Sequence, residues 1–222
     1  RCRIAHHEIT ASIDPANATL TATDRLTLAH PPGVPAATKV PLLLHRALAV
    51  REIRAVPAGE GASAVRLRWE ESARWQPRDF WERPQYAELS GLGHGRQIDL
   101  FLESSSGTWP ESLIVAVRYE GVIYDSLRPP PEAYQRGFET TAGLIDPRGA
   151  YLSGGTLWYP QRFDDPCPFR LEVATPAGWA SVSQGARIAG APGRVAWVST
   201  APMDEIYLIA GPYVLREELH PS

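Results

Sequence analysis

The sequence predicts an all-β fold, a mainly antiparallel, sandwich-like β domain with one large curved sheet and smaller flanking ones. Apolar and polar residues alternate with a period of two along most of the chain. Turn residues punctuate that alternation, with 21 Pro and 18 Gly among 222 residues, which leaves little room for long helices. Hydrophobic content of 44% against 21% charged residues is ordinary for a globular chain of this length, enough to bury a substantial core.

The elements follow in order. His7, Ile9, Ala11 and Ile13 alternate with Glu8, Thr10, Ser12 and Asp14. Asp14-Pro15-Ala16-Asn17 has turn chemistry, and Leu20, Ala22, Leu26 and Leu28 resume the pattern, predicting an antiparallel hairpin. Pro31-Pro32-Gly33 breaks it. The apolar run Val40–Leu44 reads as a strand buried on both faces. Val50, Ile53 and Val56 mark a short strand or irregular edge, and Val65, Leu67 and Trp69 alternate with Arg66, Arg68 and Glu70.

From Glu70 to Gly95 the alternation fails, and Trp75, Phe80, Trp81 and Tyr86 sit among charged residues and prolines. Strand patterning returns at Ile98–Leu102 and Leu113–Tyr119. Asp125–Ala150 is the longest stretch without periodicity. A corner follows at Tyr151–Pro160: a Gly154-Gly155 hinge, then the Trp158-Tyr159 pair halted by Pro160. Asp164-Asp165 beside Pro166 reads as a solvated acidic turn. Strands are then predicted at Phe169–Ala174, Trp179–Ser183, Val195–Val198 and Ile206–Ala210, for about ten to twelve in all.

Chemistry is sparse. His7-Glu8-Ile9-Thr10-Ala11 approaches the zinc-hydrolase pattern His-Glu-x-x-His, but Ala11 takes the second histidine's place. The segment also reads as a strand, where residues four apart lie about 13 Å apart. His6, His30, His45, His94 and His220 are scattered, as surface or hydrogen-bonded residues are. The predicted set of catalytic and metal-binding residues is therefore empty. Cys2 and Cys167 cannot form a disulfide framework or a closed zinc site. Gly91, Gly93 and Gly95 lack a dinucleotide fingerprint, and Glu70-Glu71, Asp164-Asp165 and Glu217-Glu218 are adjacent carboxylates that face opposite ways on a strand. A formal net charge of −3 without a basic run excludes a nucleic-acid partner, and no apolar run is long enough for a membrane span. The chain opens at Arg1, and its only methionine is Met203, as expected of a processed or excised fragment.

Four segments carry a resemblance in their order: Val117-Arg-Tyr-Glu-Gly-Val-Ile-Tyr124, the stretch Tyr151-Leu-Ser-Gly-Gly-Thr-Leu-Trp-Tyr-Pro160 with its continuation to Pro176, Gly178-Trp-Ala-Ser-Val-Ser-Gln-Gly185, and Ser199–Tyr213. From His7 to Leu215 the chain resembles the amino-terminal domain of the aminopeptidase N and leukotriene hydrolase family of zinc metallopeptidases (family M1). The resemblance implies a saddle-shaped β domain over residues 1–215, with 216–222 opening a linker to a catalytic domain. That domain would carry zinc, on His-Glu-x-x-His, and a Gly-x-Met-Glu-Asn segment; neither motif occurs here. The implied partners are the catalytic domain of the same chain and a peptide substrate in the shared cleft, lined from this side by Tyr151, Ser153, Gly154 and Gly155. The family's Gln or Glu acceptor for the peptide amino terminus has no counterpart in that stretch, so it is either missing, which would bear on amino-terminal anchoring and aminopeptidase specificity, or displaced to Glu139 or Asp146 in the preceding loop. A stand-alone β-sandwich module for glycan or protein, with Trp75–Tyr86 as its platform, and a scaffold relative without peptidase activity are the other readings.

Overall fold

The alternation at the start of the chain becomes a long hairpin. The structure, a computed structural model, describes residues 2–30, 37–56, 65–72, 94–104, 109–110, 112–127, 141–162 and 165–216. Strand β1 (Arg3–Asp14) pairs antiparallel with β2 (Thr19–Ala29), in a register that sets His7 opposite Leu26 and Ile13 opposite Leu20. The turn is built as its sequence requires, with Asp14 accepting from the Ala16 N–H at 3.0 Å and from the Asn17 amide at 2.7 Å. Ile9, Ala11 and Ile13 face the core together with Leu20, Ala22, Leu26 and Leu28.

This hairpin is the middle of a seven-stranded sheet. The remaining strands are β3 (Ala37–His45), β4 (Leu48–Val56), β5 (Val65–Ser72), β6 (Gly95–Ser104), β7 (Ser112–Val122), β8 (Leu144–Asp146), β9 (Gly149–Leu152), β10 (Cys167–Ala174), β11 (Ala180–Val182), β12 (Ala186–Ala189), β13 (Val195–Met203) and β14 (Leu208–Gly211). The large sheet runs β12-β13-β10-β1-β2-β7-β4, and β10 lies parallel to β1, with His7 opposite Phe169. A four-stranded antiparallel sheet runs β11-β14-β9-β8, and a three-stranded one β3-β6-β5. One buried cluster draws on all three sheets, from Ile9 and Phe169 to Leu42 and Ile98 and to Leu152 and Leu208.

The all-β prediction holds, with differences in detail. Strand β8 and the first half of β9 fall inside the stretch that shows no periodicity. They are too short to display alternation and are tied by a side chain, since Asp146 Oδ1 accepts from the N–H groups of Arg148 (2.8 Å) and Gly149 (3.2 Å). Strand β12 was also not predicted; all four of its residues are exposed, so no buried face leaves a pattern. Asp165 is not a solvated turn residue. Its side chain is only 4% exposed, it accepts from the Ile4 N–H at 2.9 Å and pairs with Arg162, and so it ties the start of β1 to the corner. Both cysteines are free and buried. Trp75, Phe80, Trp81, Tyr86, Gly91, Gly93, Glu139, Asp164, His220 and the Glu217-Glu218 pair lie outside the described residues.

Candidate functional site

The Gly-Gly segment forms a single 3-10 turn, Gly154–Thr156, at the exit of β9. The Ser153 N–H donates to Thr156 Oγ1 (3.0 Å), and the N–H groups of Thr156 and Leu157 donate back to the carbonyls of Ser153 (3.1 Å) and Gly154 (3.0 Å). Leu157 closes the turn in the left-handed region, at φ 59°. That conformation costs a non-glycine residue about 1–2 kcal/mol. Complete burial of its side chain returns about 1.5–3 kcal/mol, so packing outweighs the strain.

The four-stranded and three-stranded sheets meet at this turn. The Leu157 carbonyl accepts from the His45 N–H at 2.7 Å, and Gln161 pairs through its backbone with Leu43 in both directions. Gln161 Nε2 donates to the Gly154 carbonyl (2.6 Å) and His94 Nε2 to the Gly155 carbonyl (2.9 Å). His45 and His94, distant in sequence, thus lie with rings 5.2 Å apart. Burial, the neighbouring His94 and the guanidinium groups of Arg46 and Arg96 push His45 down to about 4, so it is neutral near pH 7.

The carboxylate at the turn comes from the loop between β13 and β14. Glu205 Oε2 accepts the Gly154 N–H at 2.9 Å, and Oε1 accepts the Tyr207 hydroxyl at 2.5 Å. The bond to Glu205 raises Tyr207 to about 12, because the carboxylate favours the protonated phenol. Gly154 has to be glycine here, since a Cβ would stand 2.6 Å from the Cβ of Glu205. Gly155 meets no such limit, with only Ser153 Oγ nearby at 3.6 Å. The loop is fixed from several sides. Trp158 Nε1 donates to the Ile206 carbonyl (2.9 Å), the Ile206 N–H donates to the Tyr159 hydroxyl (3.1 Å), and the Gln184 amide binds both Glu205 O and Tyr207 N.

The predicted cleft residues therefore separate. Ser153, Gly154 and Gly155 share one turn, whereas Tyr151 lies exposed on β9 and reaches the corner through Tyr207, whose ring is 6.5 Å away. Asp146 is committed to its own turn and to Arg148. Glu205 was missed; its only trace in the sequence is the Asp204-Glu205 pair between two strands. The His7-Glu8 segment is a strand, and His7 bonds the buried Asp24 at 2.7 Å. Among the described residues no group of three His, Cys, Asp or Glu side chains could hold a metal, so these residues do not fit zinc.

Solved structures share this architecture. An M1 zinc metallopeptidase mutant from Deinococcus radiodurans bound to a Tyr-Ser-Ala substrate matches with TM-score 0.59 at 16% identity, over 95% of this chain and 42% of that one. The fold is one found in M1 zinc metallopeptidases. A two-domain M1 zinc metallopeptidase mutant bound to L-tryptophan gives TM-score 0.57, 16% identity and the same coverage. Native leukotriene A4 hydrolase from Saccharomyces cerevisiae gives TM-score 0.54 at 12% identity, over 95% of this chain and 29% of that one. The chain thus spans less than half the length of the M1 metallopeptidases it matches. No family model and no curated protein matches the sequence.

Proposed function

We propose that this chain is the non-catalytic amino-terminal domain of a zinc metallo-aminopeptidase-like protein, capping one side of the active-site cleft and shaping peptide access. The observation that carries this reading is a fold match across 95% of the chain to less than half of each M1 enzyme. Residues 1–215 are then the cap and 216–222 the start of the connection to the catalytic domain. Zinc belongs to that catalytic domain, where it supplies the activated water for amide hydrolysis. On this chain's side, the corner of Ser153, Gly154 and Gly155, with Tyr151 beside it, forms the rim of the cleft. Glu205 is the acceptor we assign to the peptide's ammonium group, since a carboxylate makes charge-assisted hydrogen bonds and has lone pairs beyond the two in use.

The test compares the 222-residue chain with the full-length protein, both supplied with zinc and fluorogenic aminoacyl substrates. The full-length protein is expected to bind zinc and to show chelator-sensitive hydrolysis, the 222-residue chain neither. Chelator-sensitive turnover by the shorter chain refutes the capping role, and a full-length protein without zinc or hydrolysis refutes the parent activity.

A further inference from the structure

The three-stranded sheet turns Val40, Leu42, Ile98 and Leu100 to the core, with Leu67 and Trp69 packed beside them. Its other face carries the alternate residues, and the register sets Lys39, Phe101 and Arg68 in one row across β3, β6 and β5. A solvated face of this kind is ordinarily polar throughout. Here a phenyl ring sits between two cations: the Arg68 guanidinium carbon stands 4.2 Å from its centroid and Lys39 Nζ 5.9 Å. The surface hollows at this ring into a concavity of about 620 Å³, lined by Thr38, Lys39, Arg66, Arg68, Phe101 and Glu103 among others. Pockets that bury small organic ligands have this size.

Donors outnumber acceptors in this hollow. Lys39 is steadied by Asp99 at 2.9 Å and Arg68 by Glu70, and both carboxylates belong to the neighbouring row, outside the lining. Asp99 is itself fixed, its Oδ1 accepting from Gln97 Nε2 at 2.7 Å. One carboxylate on each cation leaves further N–H donors on the ammonium and guanidinium groups. Among the described lining residues the only carboxylate is Glu103, 3.8 Å from Arg66, and both side chains are mostly exposed, so that pair is loose. An occupant must therefore bring acceptor oxygens for Arg66, Arg68 and Lys39 and an apolar surface for Phe101. We propose that this hollow binds a small organic anion, a carboxylate or sulfonate borne on a flat apolar ring. The anionic group lies in the guanidinium forks, which match paired oxygens, and the ring lies against Phe101. None of the described lining residues belongs to the Gly154 corner, so the site goes beyond the function proposed above.

Equilibrium dialysis of 2-naphthoate against the full-length protein tests it. Saturable binding is expected, weakened about tenfold by Arg68→Gln, the weight of one charge-assisted bond, and about threefold to tenfold by Phe101→Leu, which removes the ring contact. Arg66→Gln should weaken it as well, and that side chain is 83% exposed, so its removal leaves the fold intact. Arg51→Gln, which removes an exposed cation from β4 of the large sheet, should bind within about twofold of the parent, since salt screens so distant a charge. The ammonium analogue 2-naphthylmethylammonium, with the ring and the opposite charge, and acetate, with the charge and no ring, should each bind about tenfold more weakly or less. Absence of saturable 2-naphthoate binding overturns the site. Equal binding of the ammonium analogue overturns it in favour of a merely apolar groove, and equal binding of acetate in favour of a bare ion contact. Binding that Arg66→Gln, Arg68→Gln and Phe101→Leu all leave unchanged lies elsewhere in the protein and overturns it too.

Discussion

Gly154 and Gly155 are neighbours with opposite tolerance for a side chain. At Gly154 a methyl group collides with Glu205 and disturbs the N–H bond to its carboxylate, so Gly154→Ala should cost about 1–3 kcal/mol in urea unfolding. Gly155→Ala should stay within about 0.5 kcal/mol of the parent, since open space receives the methyl. Nothing in the sequence distinguishes the two, because the partner that separates them lies 51 residues away. In the full-length protein, Glu205→Gln should raise KM for peptides with a free amino terminus by about tenfold, the weight of one charge-assisted bond, and leave amino-blocked analogues unaffected. Equal KM for the two proteins removes Glu205 from substrate binding.

The corner from Ser153 to Gln161 owes its rigidity to pairing on both flanks, with β3 through Leu43 and with the loop before β14 through Trp158 and Tyr159. Trp158→Phe keeps most of the buried ring and removes the Nε1 donor, leaving the Ile206 carbonyl unpaired. We expect a loss of about 1–3 kcal/mol in thermal denaturation, with faster amide exchange over residues 204–207. At this scale the sequence was readable where strands are long and one face is buried, as in β1, β2, β7 and β10. It was silent for β8, at three residues, and for β12, which buries nothing. The aromatic pair and Pro160 marked the corner, but its contacts with β3 and with the loop before β14 join residues that no local pattern relates.

Two histidines bracket the pH range of the whole molecule. Burial alone would lower His7, but the charge of Asp24 and the hydrogen bonds that the His7 ring makes to Asp24 and Cys167 hold it up, to about 10. Its contribution is complete below the unfolded value of 6.5 and is lost as pH rises toward 10. His45, held down to about 4, acts in the other direction, giving stability above 6.5 that disappears as pH falls toward 4. Urea midpoints should therefore peak near pH 6.5, with an alkaline limb of at most about 1.4 kcal/mol per pH unit from His7 and a shallower acid limb, because His45 is half-buried and screened. His7→Gln should flatten the alkaline limb, and His45→Gln the acid one.

The parallel contact between β1 and β10 joins the first strand of the chain to one that begins at Cys167. About 150 residues lie between the end of β1 and the start of β10, and the ribosome must release all of them before that seam can close. Until then the amino-terminal hairpin offers a bare rung of twelve residues to any passing strand. Nascent chains stalled ahead of Cys167 should accordingly collect in the insoluble fraction, whereas those extended past Met203, with β13 added to cover β10, should remain in solution.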